Sequence, residues 1–108
     1  MTVQRSQYGA IYFIKRRFLL GVISRDLSDD ERQVLQSNKG AAISVVVNET
    51  PAFDADLLAG DIIVAMDGVQ IQNNVAFGEL QRANRGRAIK LTIVRRGQQL
   101  EKSVKLNN

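Results

Sequence analysis

The stretch TPAFDADLLAGDIIVAMDGVQI, residues 50–71, carries the capping and turn signals of two consecutive structural units. Thr50 is suited to cap a helix that begins at Pro51. Proline fits this first position because the N–H group that it lacks would have no acceptor within the helix. Gly60 is suited to end this helix, since glycine tolerates the left-handed conformation found there. Asp67-Gly68 then favours a type I′ turn between two strands. The stretch therefore predicts a short helix followed by a β-hairpin.

Two strands and one helix are predicted before this stretch. Apolar and β-branched residues predict strands over residues 10–15 and 20–25. The sequence SDDE, residues 28–31, fits a capping box. It predicts a helix over residues 29–37 that is closed by NKG, residues 38–40. We expect Val34 and Leu35 to face the interior.

Three further units are predicted around and after the central stretch. The apolar run AAISVVVN, residues 41–48, predicts a buried strand. Asn73 or Asn74 is suited to cap a helix over residues 74–84 that ends at Gly86, with Phe77, Leu80 and Ala83 on one face. Residues 88–106 predict a second hairpin that turns at RG, residues 96–97. This order predicts an α+β fold, a small and mostly antiparallel β-sandwich or partly open barrel capped by two to three helices.

Composition limits the possible functions. The 108 residues correspond to one domain, and no apolar run approaches the roughly 20 residues that cross a bilayer. The chain has no cysteine and no histidine, which excludes the usual zinc sites and every histidine-based catalytic triad. It also lacks a glycine-rich phosphate loop. The sequence therefore implies no metal, no cofactor and no catalytic residue.

Charge is distributed unevenly along the chain. Residues 26–67 contain nine acidic and two basic side chains, whereas residues 80–108 contain eight basic and one acidic. A basic segment is one mark of nucleic-acid binding. Here the charges alternate along predicted strands, and no aromatic residue is present in the segment to stack on bases. A solvated face is the favoured interpretation, and nucleic-acid binding is the disfavoured one.

Three motifs follow one another with a recognisable order and spacing. The first is LGV, residues 20–22, an apolar-glycine-apolar turn; the second is the stretch at residues 50–71; the third is LTIVRRG, residues 91–97. Together they resemble the PDZ domain family, in particular the bacterial type attached to HtrA proteases, and the resemblance spans residues 17–106. The resemblance implies a PDZ-like domain at residues 17–108. Residues 1–16 are then an N-terminal extension, either a linker from a longer parent chain or an added strand.

The resemblance implies a non-catalytic domain that binds peptides. Its partner would be the C-terminal tail or an extended segment of another protein, added as a strand in a groove between residues 20–25 and the helix at 74–84. It further implies a periplasmic or cell-envelope setting and a parent chain that is either an HtrA-like protease or an assembly protein. The implied peptide-binding residues are Arg17, Leu19, Leu20, Gly21, Val22, Ile23, Ser24, Ala76, Phe77 and Leu80.

A physical role can be given to these residues. Gly21 allows close approach of the backbone, so successive N–H groups from Leu20 to Val22 are suited to bind a terminal carboxylate, with Arg16 or Arg17 as a nearby cation. The strand edge would pair with the peptide main chain. Two alternatives stay open. The apolar residues fit a core without any ligand, and a second hypothesis fills the groove with residues 1–16 or with a second copy of the chain.

Overall fold

The computed structural model describes residues 18–108, so the predicted strand over residues 10–15 and Arg17 lie outside the described residues. Nine elements follow Leu20 and Gly21. The strands are β1 Val22–Arg25, β2 Ala41–Val46, β3 Ile62–Met66, β4 Val69–Gln70, β5 Ala88–Arg95 and β6 Gln98–Lys105. The helices are α1 Asp29–Leu35, α2 Pro51–Asp54 and α3 Asn74–Ala83. Within this part of the chain no helix is long and apolar enough to cross a membrane.

The six strands form one open antiparallel sheet in the order β1-β2-β3-β5-β6, and β4 pairs with β3 beside this path. The sheet does not close, because no pairing joins β1 to β6 within residues 18–108. Three helices cap it. The predicted fold class, a small and mostly antiparallel α+β domain, is confirmed. Among residues 18–108 only one edge of β1 is paired, with β2.

The main core joins the segment before β1 to the sheet and to α3. Leu20, Ile43, Ile63, Phe77 and Leu91 each have an exposed fraction of 1% or less and belong to one apolar cluster. A smaller cluster on the other side contains Leu27, Ala42 and Ile62. Since Leu20 and Phe77 share the main cluster, the position of the loop relative to α3 is fixed by the core.

Both predicted hairpin turns are present. Asp67 and Gly68 have φ values of 49° and 79°, and Arg96 and Gly97 have values of 52° and 78°. Positive φ at both central residues is the mark of a type I′ turn, which matches the twist of antiparallel strands. The Asp67 carboxylate also accepts from the Lys90 N–H at 2.8 Å and so ties the first turn to β5.

Two helices differ from the prediction. The capping box at Ser28 and Glu31 is present, but α1 ends two residues early because Gln36 adopts the left-handed conformation. Val34 is 70% exposed, so its predicted inward position is wrong, whereas Leu35 packs against the smaller cluster. Thr50 caps α2 as predicted, yet α2 spans only four residues.

Candidate functional site

The segment before β1 has its carbonyl groups tied to the body of the domain. The Phe18 and Leu19 oxygens accept from the side-chain and main-chain nitrogens of Asn107 at 3.0 and 2.9 Å. The Leu20 oxygen accepts from the Ala52 N–H at 2.7 Å, and the Gly21 oxygen accepts from the Val47 N–H at 2.8 Å. Four consecutive carbonyls therefore point inward.

The N–H groups of the same peptide units consequently point outward, because the C=O and N–H of a trans peptide lie on opposite sides of the chain. Among residues 18–108 the N–H groups of Leu19, Leu20 and Gly21 have no acceptor. The fourth N–H of these units, that of Val22, lies at the edge of β1 that faces away from β2, so the donors begin at Leu19, one residue before the predicted Leu20–Val22. Successive free N–H groups form a site for an anion. We refer to residues 19–21 as the donor loop.

Gly21 is required by the shape of this loop. Its φ is 102°, a conformation that L side chains rarely adopt, and a Cβ atom there would collide with the Thr50 side chain. Thr50 is itself 1% exposed; its hydroxyl donates to the Val47 carbonyl at 2.7 Å and accepts from the Phe53 N–H. The N-cap of α2 thus forms the rigid support behind the donor loop.

The edge of β1 that no strand within residues 18–108 pairs begins at Val22. Since the Val47 N–H bonds the Gly21 oxygen, the facing pair of Val22 and Val46 is a non-hydrogen-bonded pair of the ladder. The N–H and C=O of Val22 therefore point away from β2. An extended chain lying along this edge can pair with both groups.

The far end of the groove is closed by hydrogen bonds between β1 and the start of α3. The Ser24 hydroxyl donates to the Asn74 side-chain oxygen at 2.6 Å, and the Asn74 side-chain nitrogen donates to the Ser24 carbonyl at 3.3 Å. The Asn74 N–H donates to the Asp26 carboxylate at 2.8 Å. These three bonds set the distance between strand and helix.

The near end of the groove opens into a cleft of about 540 Å³. Phe18 and Leu19 form its apolar side, and α3 contributes a strip of small and polar residues. The full lining is Phe18, Leu19, Gly78, Gln81, Arg82, Arg85 and Asn108. We call this space the loop cleft. A second cleft, of about 370 Å³, lies between α2 and β6 and is lined by Asp54, Ser103 and Lys105 among others.

The structure distributes the site residues named from the sequence over several environments. Leu20 and Phe77 are wholly buried, and Val22 and Leu80 are half-buried against the main core. Ile23 is 51% exposed. The donor loop, the β1 edge and the loop cleft bring together Leu19, Gly21, Val22 and Ser24, and Ala76 is half-buried on α3.

Sequence reasoning missed the α3 residues that face the loop cleft. Gly78, Gln81 and Arg82 line it, and Asn74 continues the same strip toward Ser24. The signal was available in the helical period, because positions 74, 78 and 81 fall on one side of the helix, next to the side that carries Phe77 and Leu80. Ala76, Phe77 and Leu80, the α3 residues predicted from the sequence, are all apolar.

Comparison with known proteins agrees with this architecture. The family profile described as "PDZ domain" matches residues 19–106. A probable periplasmic serine protease of the do/HhoA-like kind from Haemophilus influenzae is 33% identical over 94 residues, which cover 84% of this chain and 20% of that protein. A probable do-like serine protease from Buchnera aphidicola is 36% identical over 69 residues, covering 62% and 14%. The chain thus spans a fifth or less of the length of these relatives.

Two solved structures share the fold. The HtrA3 PDZ domain bound to the phage-derived ligand FGRWV superposes with a TM-score of 0.72 at 18% identity, covering 84% of this chain and 86% of that one. The HtrA-type protease AlgW with a decapeptide gives a TM-score of 0.68 at 23% identity, covering 84% and 29%. The likeness to HtrA-type domains expected from the three motifs is confirmed. On the family match and the shared fold, the chain belongs to the PDZ domain family.

Proposed function

We propose that this domain binds the carboxyl-terminal segment of another protein as an added strand between β1 and α3. The terminal carboxylate is bound by the donor loop. The observation that carries this proposal is the inward fixation of four carbonyl groups, which leaves the N–H groups of Leu19, Leu20 and Gly21 without an acceptor in residues 18–108. Anions are the ligands that such a row of donors binds best.

The main chain of the ligand then runs along β1. The N–H of its last residue lies opposite the Val22 carbonyl, and the next main-chain groups face Ser24. The Ser24 carbonyl already accepts a long hydrogen bond from the Asn74 side chain at 3.3 Å. A ligand that extends to Ser24 replaces this bond with one from its own main-chain N–H. Recognition by strand addition depends on main-chain groups, so many sequences fit this part of the groove.

The solved relatives support this assignment. The HtrA3 PDZ domain was crystallised with a phage-derived ligand, and AlgW was crystallised with a decapeptide. The fold that those proteins use is the fold of this chain.

A peptide array tests the proposal. Each of several hundred ten-residue peptides is synthesised twice, as the free acid and as the C-terminal amide, and binding to the domain is measured by fluorescence polarisation. We expect free acids to bind at least about ten-fold more tightly than their amides, because a charge-assisted hydrogen bond contributes about 1.5–3 kcal/mol. Methylation of the last peptide nitrogen is expected to abolish binding. Equal affinities for acid and amide would refute the proposal.

We further propose that the domain serves as the substrate-recognition part of an HtrA-like protease in the bacterial periplasm. The relatives named above are described as probable serine proteases, one of them periplasmic, and this chain spans a fifth or less of their length. In such a parent chain, cleavage belongs to the remainder of the protein and recognition to this domain. Full-length parent protein is expected to lose cleavage of tail-bearing substrates when these residues are deleted, while cleavage of unfolded casein is largely retained.

A groove filled by the chain itself is the competing assignment. Deletion of residues 1–16 distinguishes the two. Unchanged affinity for free-acid peptides is expected from the proposal made here. A large gain in affinity on deletion would instead assign those residues to the groove, and a gain that depends on protein concentration would assign a second copy to it.

A further inference from the structure

The Asn74 side chain connects α3 to β1 through both ends of its amide. Its oxygen accepts from the Ser24 hydroxyl at 2.6 Å, and its nitrogen donates to the Ser24 carbonyl at 3.3 Å. Both residues are half-buried. We call these two hydrogen bonds the amide bridge. One side chain of α3 thus binds a single residue of β1 with both of its polar groups.

The start of α3 is fixed independently of the amide bridge. The Asn74 main-chain N–H donates to the Asp26 carboxylate at 2.8 Å, and the Asn73 side chain caps the helix by accepting from the Ala76 N–H at 2.8 Å. Neither bond involves the Asn74 side chain. Rotation about the side-chain bonds of Asn74 therefore opens the amide bridge while the helix keeps its place. A single side chain changes rotamer much faster than a helix shifts.

The amide bridge lies on the path of an added strand. The Ser24 carbonyl is turned toward α3, as its bond from Asn74 shows, and Val22 has its main-chain groups turned away from β2. An antiparallel ligand whose last residue pairs with Val22 brings its third residue from the end to Ser24, because alternate residues of a strand face the same edge. The N–H nitrogen of that third residue would lie about 2.9 Å from the Ser24 carbonyl. The Asn74 side-chain nitrogen occupies this position.

We propose that the amide bridge limits the ligand-free groove to the last two residues of a chain end, an inference that rests on the proposed function. A longer chain end pairs its third residue with β1 only after the Asn74 side chain rotates away. Opening the bridge breaks two neutral hydrogen bonds, of which the ligand replaces only the one to the Ser24 carbonyl. Asn74 therefore lowers the affinity for extended segments and leaves the affinity for the last two residues unchanged.

Two free-acid probes that share their last two residues test this limit. One is a ten-residue peptide from the array, the other is an N-acetylated dipeptide, and both affinities are measured by NMR titration. The ten-residue peptide is expected to bind Asn74→Ala about five-fold more tightly than the native domain, a ratio that corresponds to one neutral hydrogen bond. The dipeptide is expected to bind the variant and the native domain with the same affinity.

The control changes the next residue of α3. Val75 is 70% exposed, so Val75→Ala alters the same helical turn and keeps the amide bridge, and it is expected to change neither affinity. The native domain supplies a second measurement that needs no variant. The side-chain N–H signals of Asn74 are expected to shift when the ten-residue peptide binds and to stay in place when the dipeptide binds.

Unchanged or weaker binding of the ten-residue peptide to Asn74→Ala would overturn the inference, because Asn74 would then be neutral or would hold the ligand. An equal gain for both probes would also overturn it, since the bridge would then act on the last two residues. Side-chain signals of Asn74 that stay in place with the ten-residue peptide would contradict it in the native domain. A ten-residue peptide that binds equally well as acid and as amide would instead refute the proposed function.

Discussion

At the scale of single residues, Gly78 is a position in α3 where neither packing nor backbone conformation requires glycine. Replacement of Gly78 by Ala should raise the free energy of unfolding by roughly 0.5–1 kcal/mol, because glycine is the poorer helix former and the added Cβ has room. Gly68 offers the matched control. With a φ of 79° in a type I′ turn, its replacement by Ala should destabilise the domain by about 1 kcal/mol. Urea unfolding measures both. A loss of stability in Gly78→Ala would show that packing does require the glycine.

Asp61 is a second residue whose role the structure defines. Its side chain is 1% exposed; it accepts from two nitrogens of Arg95 at 2.8 and 2.7 Å and from the Leu58 N–H at 2.9 Å. The bond to Asp61 raises the pKa of Arg95.

Replacement of Asp61 by Asn should cost about 3 kcal/mol of unfolding free energy, because it leaves a partly buried guanidinium without its counter-charge. The control is Glu101→Gln, which breaks an exposed pair with Lys90 and should cost less than about 0.5 kcal/mol. Thermal unfolding followed by circular dichroism compares the two. Similar losses in both variants would contradict the role given to Asp61.

At the scale of elements, the start of α1 makes stability depend on pH. The Arg25 guanidinium and the Ser28 N–H lower the pKa of Glu31 from its ordinary 4.5 to about 2. Because the pKa is lower in the folded state, Glu31 stabilises the domain fully above about pH 5, and this contribution disappears as the pH falls toward 2.

The variant Glu31→Gln should therefore lose part of the stability difference between pH 5 and pH 2.5. With Arg25 exposed to solvent, we expect the lost part to be about 1 kcal/mol. Urea midpoints at the two pH values measure it. The control Asp30→Asn removes a carboxylate of the same helix that forms no ion pair within residues 18–108, and it should lose less of this difference than Glu31→Gln. Identical pH profiles for Glu31→Gln and the native chain would refute this assignment.

Elements also show what the sequence could predict. The sequence predicted both type I′ turns and the capping residues Ser28, Thr50 and Asn73, because each of these features depends on a few neighbouring residues. The end of α1 was not, since Gln36 ends it in a left-handed conformation that favours glycine or asparagine. Val34 was misplaced because helical period alone does not tell which apolar residue meets the sheet.

At the scale of the whole molecule, the groove is built by the core that also holds the sheet. Leu20 before β1 and Phe77 on α3 share one buried cluster, so both walls of the groove are fixed before any ligand binds. The sequence predicted the two walls through the family motifs. It did not predict that Arg82 and Arg85 would line the same cleft as Leu19, because this arrangement depends on how α3 crosses the sheet.

The most direct test of the central claim is a ¹H–¹⁵N correlation spectrum recorded while a free-acid peptide from the array is added. The account predicts the largest shifts at the amides of Leu19, Leu20 and Gly21, smaller shifts along β1, and clearly weaker shifts at the same peptide concentration when the peptide is added as its amide. Largest shifts at Asp54, Ser103 and Lys105, which line the cleft between α2 and β6, would contradict it.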